Sequence, residues 1–216
     1  MHPLLQAMID AGISHDTLVF LLSVPLVATI FAFSRQVIGL RSFGLYVPLL
    51  LTYVLLTIGL GPGLLMLLLI LIVATLARLL FSKLRLLYIP RMAIVLTLSS
   101  AVVLALFYLG SQVALYKEIN FSILSILIII FLVEEFVSIQ IKQSARTAFW
   151  LTIETLVLVI AAFYLIEWPV LQTYLLSHPS VIIVGSLVIN LLLARWSGLR
   201  LTEMWKFRAI FKKPKT

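Results

Sequence analysis

Seven apolar stretches divide this chain, all but the shorter last one close to the ~20 residues that an α-helix needs to cross the hydrocarbon core of a bilayer. They run from Thr17 to Ser34, Phe43 to Leu60, Pro62 to Phe81, Ala93 to Gly110, Phe121 to Ser138, Ala148 to Ile166 and Ser180 to Ala194. The polar breaks between them are short, and none reads as a Pro/Ser/Gly linker or is large enough to fold alone. The pattern predicts an all-α integral membrane protein: one domain over residues 1–216, a seven-transmembrane helix bundle with a basic tail at 195–216.

The second and third stretches meet at Gly59-Leu60-Gly61-Pro62-Gly63. Glycine tolerates unusual backbone angles and proline suits a first helical turn, so a tight antiparallel hairpin is expected there. Residues 78–91 form a basic connector with Tyr88 and Pro90, expected to lie along the inner surface.

Composition agrees with the pattern. With 63% apolar and 11% charged residues over 216 positions, too little polar surface exists to coat a soluble globule. Charge then orients the chain. Of the 16 Lys and Arg residues, Lys117 alone falls on one side when loops are assigned alternately to the two sides. The positive-inside rule therefore puts the amino terminus outside and the carboxyl terminus in the cytoplasm. The net charge of +8 reads as this topology signal, and as attraction to anionic lipid at ~1 kcal/mol per surface cation, rather than as a nucleic-acid surface. Trp150 and Trp196 fall at inner ends of stretches and Trp168 at an outer end, as aromatic belts require. The segment before the first stretch carries Asp10 and Asp16 and no basic cluster, so the first span is expected to act as an uncleaved signal anchor. Zero cysteines exclude disulfides and thiolate chemistry.

Polar residues inside the stretches are the candidate functional positions, because a carboxylate in hydrocarbon is costly unless paired or hydrated. These are Glu134, Glu135, Glu154 and Asn190, with Pro48 at a similar depth, where a helix proline could free a carbonyl to line a polar cavity. They suggest a vestibule open to the cytoplasm. A second placement stands open for Glu134 and Glu135: if the fifth span ends near Leu132, both lie at the headgroups beside Lys142 and Arg146. His2, His15 and His178 are scattered without ligand spacing, so no metal and no cofactor is expected. No phosphate loop, nucleophile elbow or His–carboxylate motif occurs, and the chain does not read as an enzyme. The segment from Arg195 to Arg208 interleaves aromatic and cationic residues, with Arg195, Arg200, Glu203, Trp205 and Arg208 as candidate contacts for an anion or a protein partner.

At Gly198-Leu199-Arg200-Leu201-Thr202-Glu203-Met204-Trp205-Lys206-Phe207-Arg208 the chain resembles a bacterial family of seven-transmembrane domains usually fused to an inactive transglutaminase-like domain. The resemblance extends through Ile38 to Pro48 and through Leu84 to Arg91, and so covers most of residues 36–208. Glu134-Glu135-Phe136 matches the family's acidic-aromatic pattern, with a second Glu where Arg is common. More distantly, Gly44 to Thr97 is similar to the small membrane subunit of poly-γ-glutamate capsule synthesis.

The resemblance implies a multi-pass protein of the bacterial cytoplasmic (inner) membrane, associated with ATP-grasp ligases of the glutamate-adding type. It implies no peptidase activity, and with no transglutaminase-like domain in these residues, a separately encoded transglutaminase-like or periplasmic partner is expected. The resulting expectation is a non-enzymatic subunit that docks a cytoplasmic ATP-grasp amino-acid or peptide ligase and helps anchor or export an anionic aminoacyl product. Arg85, Arg91, Arg195, Arg200 and Arg208 would make anion or partner contacts, with Trp205 as anchor; a homo-oligomer is compatible with the chain. The alternative is an independent secondary transporter with Glu154 as its proton or cation site.

Overall fold

Helix boundaries follow local chemistry along the chain. A computed structural model describes residues 3–81, 87–112, 122–142 and 144–195, and among these no strand occurs. After a short helix α1 (Pro3–Asp10), Ser14 caps α2 (His15–Phe33): its hydroxyl accepts the Thr17 N–H at 3.2 Å, and Asp16 sits in the first turn, where the helix dipole favours a negative charge. The last turn of α2 widens into a π-turn, Ser34–Ile38, which closes on Gly39 at φ 90°; Gly39 and Leu40 both donate to the Ser34 carbonyl.

The remaining described helices are α3 (Tyr46–Ile58), α4 (Leu60–Phe81), α5 (Tyr88–Gln112), α6 (Ile123–Lys142), α7 (Ala145–Glu167), α8 (Pro169–Ser177) and α9 (Pro179–Ala194). Among the described residues five helical segments are long and apolar enough to cross a membrane, or six if the bent pair α8 and α9 counts as one, making this an all-helical, multi-span membrane protein. The 13 residues of α3 extend only about 20 Å, short of a hydrocarbon core of about 30 Å.

Two local expectations change. The turn between α3 and α4 is Gly59 alone, at φ 96°, while Gly61, Pro62 and Gly63 already belong to the first turn of α4. Proline lacks only an N–H that has no intrahelical acceptor so early in a helix, which is why α4 can start before it. Residues 169–177, read from the sequence as loop, are helical: Pro169 is pre-set for a helix start, and Leu175 and Leu176 are buried. The chain then bends by 97° into α9. The pivot is His178, held at φ −131°, ψ 57° because the residue before a proline is disfavoured from helical geometry.

The chain forms two compact units. One comprises residues 1–49 with 154–216, the other residues 50–153, so the boundaries fall within α3 and α7. In the second unit α4, α5 and α6 pack on one another. The buried face of α4, Met66, Leu67, Ile70, Leu71, Ala74 and Ala77, repeats every three or four residues, while α5 buries the single line Met92, Val95, Ser99 and Val103. Gly63 lets α3 approach: a Cβ there would run into a methyl of Leu55, itself fully buried. Gln140 of α6 donates to the Thr75 hydroxyl of α4 at 3.1 Å. In the first unit α2 packs on α9 and on α8.

Candidate functional site

The polar groups of the first unit converge where the connector following α2 meets α7 and α9. The connector's main-chain N–H groups at Arg41 and Phe43 have no helix to satisfy them, and both find acceptors on α7. Arg41 N–H donates to the carboxylate Oε2 of Glu154. Phe43 N–H donates to Thr155 Oγ1 at 3.3 Å, and Thr155 and Phe43 are both buried. Two residues side by side on α7 therefore hold the connector. Two further bonds tie α2 and its π-turn to α9. Asn190 Nδ2 donates to Thr29 Oγ1 at 2.8 Å, and Gln36 Nε2 donates to the Leu193 carbonyl at 2.8 Å. Thr29 in turn donates to the Pro25 carbonyl at 2.7 Å, so its hydroxyl is used in both directions.

This geometry gives Glu154 and Asn190 defined partners. A carboxylate accepting a main-chain N–H is a charge-assisted bond, and an interhelical amide–hydroxyl bond is a common device for holding membrane helices together. Glu154 is half-buried, as is Asn190.

The other candidates are distributed differently. Glu134 and Glu135 belong to the second unit, Glu134 half-buried and Glu135 exposed. Glu135 continues the outward stripe Leu127-Phe131 of α6, and neither carboxylate has a hydrogen-bond or ion-pair partner among the described residues. Pro48 is buried in the first turn of α3. There it interrupts no intrahelical bond, which corrects the expectation that it frees a carbonyl inside a span. Arg195 is exposed at the carboxyl end of α9. Arg91 lies in the first turn of α5, with its side chain outside the described residues. Arg85, Arg200, Glu203, Trp205 and Arg208 also lie outside them. Among the described residues no group of three His, Asp or Glu side chains is placed to hold a metal.

Sequence reasoning missed Gln36, Thr29 and Thr155. Thr155 had a usable signal, as the neighbour of Glu154 in an otherwise apolar run. Thr29 had none, because a threonine bonding back to its own helix looks the same in sequence as one that also receives a bond from another helix. Trp150, in the second turn of α7, and Trp168, the N-cap of α8, are both more than half exposed.

A family model described as seven transmembrane helices usually fused to an inactive transglutaminase matches residues 11–211. No curated protein and no solved structure matches the chain.

Proposed function

Because this chain belongs to the family of seven-transmembrane-helix domains usually fused to an inactive transglutaminase, we propose that it is a non-enzymatic membrane subunit whose inner face docks a cytoplasmic ATP-grasp amino-acid or peptide ligase. In this reading it helps anchor or export an anionic aminoacyl product. The observation that carries the reading is the family match itself: the usual partner domain is inactive, which fits a membrane platform better than a catalyst. The ligase rests on the resemblance of the 198–208 motif, and the anionic product on the one-sided distribution of Lys and Arg.

Helix packing supports an odd number of crossings with the carboxyl terminus inside. The bonded pairs Thr29–Asn190 and Gln36–Leu193 rise together in number, so α2 and α9 run in the same direction. Two parallel spans require an odd number of crossings between them. The five helices α3 to α7 supply it only when the short α3 counts as one. The positive-inside rule then puts Arg35, Arg41 and Arg195 on the cytoplasmic side with the carboxyl-terminal tail. Arg85, Arg91, Arg195, Arg200 and Arg208 are the proposed anion or partner contacts, with Trp205 as anchor and Glu203 as a counter-charge. The bond from Arg41 to Glu154 favours a structural role for that carboxylate over the proton or cation site of an independent transporter.

The test is affinity purification of the tagged protein from its native host in mild detergent, with mass spectrometry of what accompanies it. An ATP-grasp ligase is expected, and the double reversal Arg200→Glu with Arg208→Glu should remove it while membrane insertion persists. Repeated recovery of the bare protein, or unchanged ligase recovery by the double variant, would overturn the docking reading.

A further inference from the structure

The bonds that tie α2 to α9 also fix how the two helices are turned. Thr29 and Gln36 face α9, through their bonds with Asn190 and with the Leu193 carbonyl. Viewed from its amino end, a right-handed helix turns clockwise by about 100° per residue. Arg35, one position before Gln36, therefore stands roughly a quarter turn anticlockwise of the line toward α9. Arg195, five positions after Asn190, stands about 140° clockwise of the line toward α2. Because the helices are parallel, these opposite senses bring both arginines to one side of the pair. The same rotation puts Leu26, Ile182 and Ser186 on the other side, where they line a common apolar groove of about 480 Å³. That groove stays open beside Gly185, where an added Cβ would meet nothing within 4 Å.

The two arginines also stand at one level. Measured from the Thr29–Asn190 bond, Arg35 lies six positions further along, about 9 Å, and Arg195 five positions further, about 7.5 Å. Packed helix axes are about 8–10 Å apart, a gap that two arginine side chains span to share one group the size of a phosphate. Both residues are exposed, and neither guanidinium has a hydrogen-bond or ion-pair partner among the described residues.

Below these cations the same side is apolar. Leu191 and Leu187 lie about one and two turns before Arg195 and are 59% and 60% exposed. Ala32 and Ala28 of α2, both half-buried, fall on this side too. Two arginines alone would suit any soluble anion. A cationic pair at the ends of two membrane helices, with an exposed apolar strip beneath it, matches a molecule with an anionic head and a hydrocarbon tail. Alanines facing leucines leave room for that tail against α2. A zwitterionic headgroup fits less well, because its own cation meets the arginines.

We propose that Arg35 and Arg195 bind the phosphate of an anionic phospholipid, whose acyl chain lies along Ala28, Ala32, Leu187 and Leu191. The proposal is independent of the ligase reading: Arg195 holds a bilayer lipid whether or not the tail beyond it docks a protein.

The full-length protein is reconstituted in phosphatidylcholine vesicles with a trace of phosphatidylglycerol carrying a diazirine in one acyl chain, then illuminated, digested and mapped by mass spectrometry. A parallel sample carries the same diazirine on phosphatidylcholine. The phosphatidylglycerol probe should label residues 28–32 and 187–191 more than the phosphatidylcholine probe by an order of magnitude, whereas both should label Leu124, Leu127 and Phe131 of α6 equally. One arginine near an anionic headgroup contributes about fivefold in affinity. Arg35→Gln and Arg195→Gln should therefore each lower the preference about fivefold, and the double variant should abolish it. Should the double variant fail to insert, the single variants decide. Unlabelled phosphatidylglycerol should displace the probe and glycerol phosphate should not; displacement by glycerol phosphate would make this a site for soluble anions and overturn the proposal. Equal labelling by the two probes, or a preference unmoved by either single substitution, also overturns it.

Discussion

Replacing Glu154 separates its two assigned roles, because the structural role needs only an acceptor whereas an ion site needs a titratable charge. Glu154→Ala removes the acceptor of the Arg41 N–H. A hydrogen bond to a charged group contributes about 1.5–3 kcal/mol, and the half-buried position of Glu154 argues for the lower end, about 1.5 kcal/mol. For a chain of 216 residues that corresponds to a fall in melting temperature of roughly 3–6 °C. Glu154→Gln keeps a carbonyl acceptor on the same side-chain skeleton and gives up only the charge assistance, so its fall should be less than half as large. Thr155→Val removes the acceptor of the Phe43 N–H two residues further along the same connector, and should cost about 1 kcal/mol. Both bonds hold one segment, so the double variant Glu154→Ala/Thr155→Val should be less destabilised than the sum, by about 0.5 kcal/mol or more. The assay is thermal melting of purified protein in detergent, followed by size-exclusion of the soluble fraction. Equal losses for Gln and Ala, or strict additivity with Thr155→Val, would refute the clamp. Glu154→Gln that melts normally yet abolishes substrate-dependent uptake in proteoliposomes would establish the transporter instead.

Gly63→Ala should destabilise the second unit by about 1–3 kcal/mol, and Gly63→Leu by more, because the added Cβ meets the buried Leu55. Unfolding in a mixed-detergent titration measures this, and Gly61→Ala, whose Cβ meets nothing, is the control expected to be near neutral or stabilising. The absence of native cysteines makes single-cysteine labelling unambiguous. Ser177→Cys should react with a membrane-impermeant maleimide from outside intact cells, and Ser144→Cys only after permeabilisation; the reverse pattern would overturn the orientation, and reaction of both from outside the crossing number.

The positions of the helices were legible because the bilayer imposes them. A run such as Pro62 to Phe81 has nowhere to satisfy its backbone except within itself, and α4 at Leu60–Phe81 follows. The segment Pro169–Ser177 was illegible because nine residues with Gln172 and Thr173 neither span a membrane nor show a strong apolar face; their helix depends on burying Leu175 and Leu176. Glu154 stands out in the sequence as a carboxylate inside an apolar run, but its partner is a main-chain N–H, 113 positions away at Arg41, which no side-chain pattern encodes.

By itself the sequence determined what is local or additive: an all-helical chain, lipid as its solvent, and the family to which the 198–208 motif points. Those properties depend on hydropathy and charge summed over a window, which neighbours in space do not alter. Only the tertiary structure decided that α2 lies parallel to α9, that Thr155 and Glu154 grip one connector, and that Gly185 leaves a groove beside Ser186, which has no hydrogen-bond partner among the described residues. These arise from contacts between residues more than a hundred positions apart, fixed by which helix faces fit together. In a membrane, where every outward face is equally apolar, the hydrophobic pattern carries no instruction about that choice.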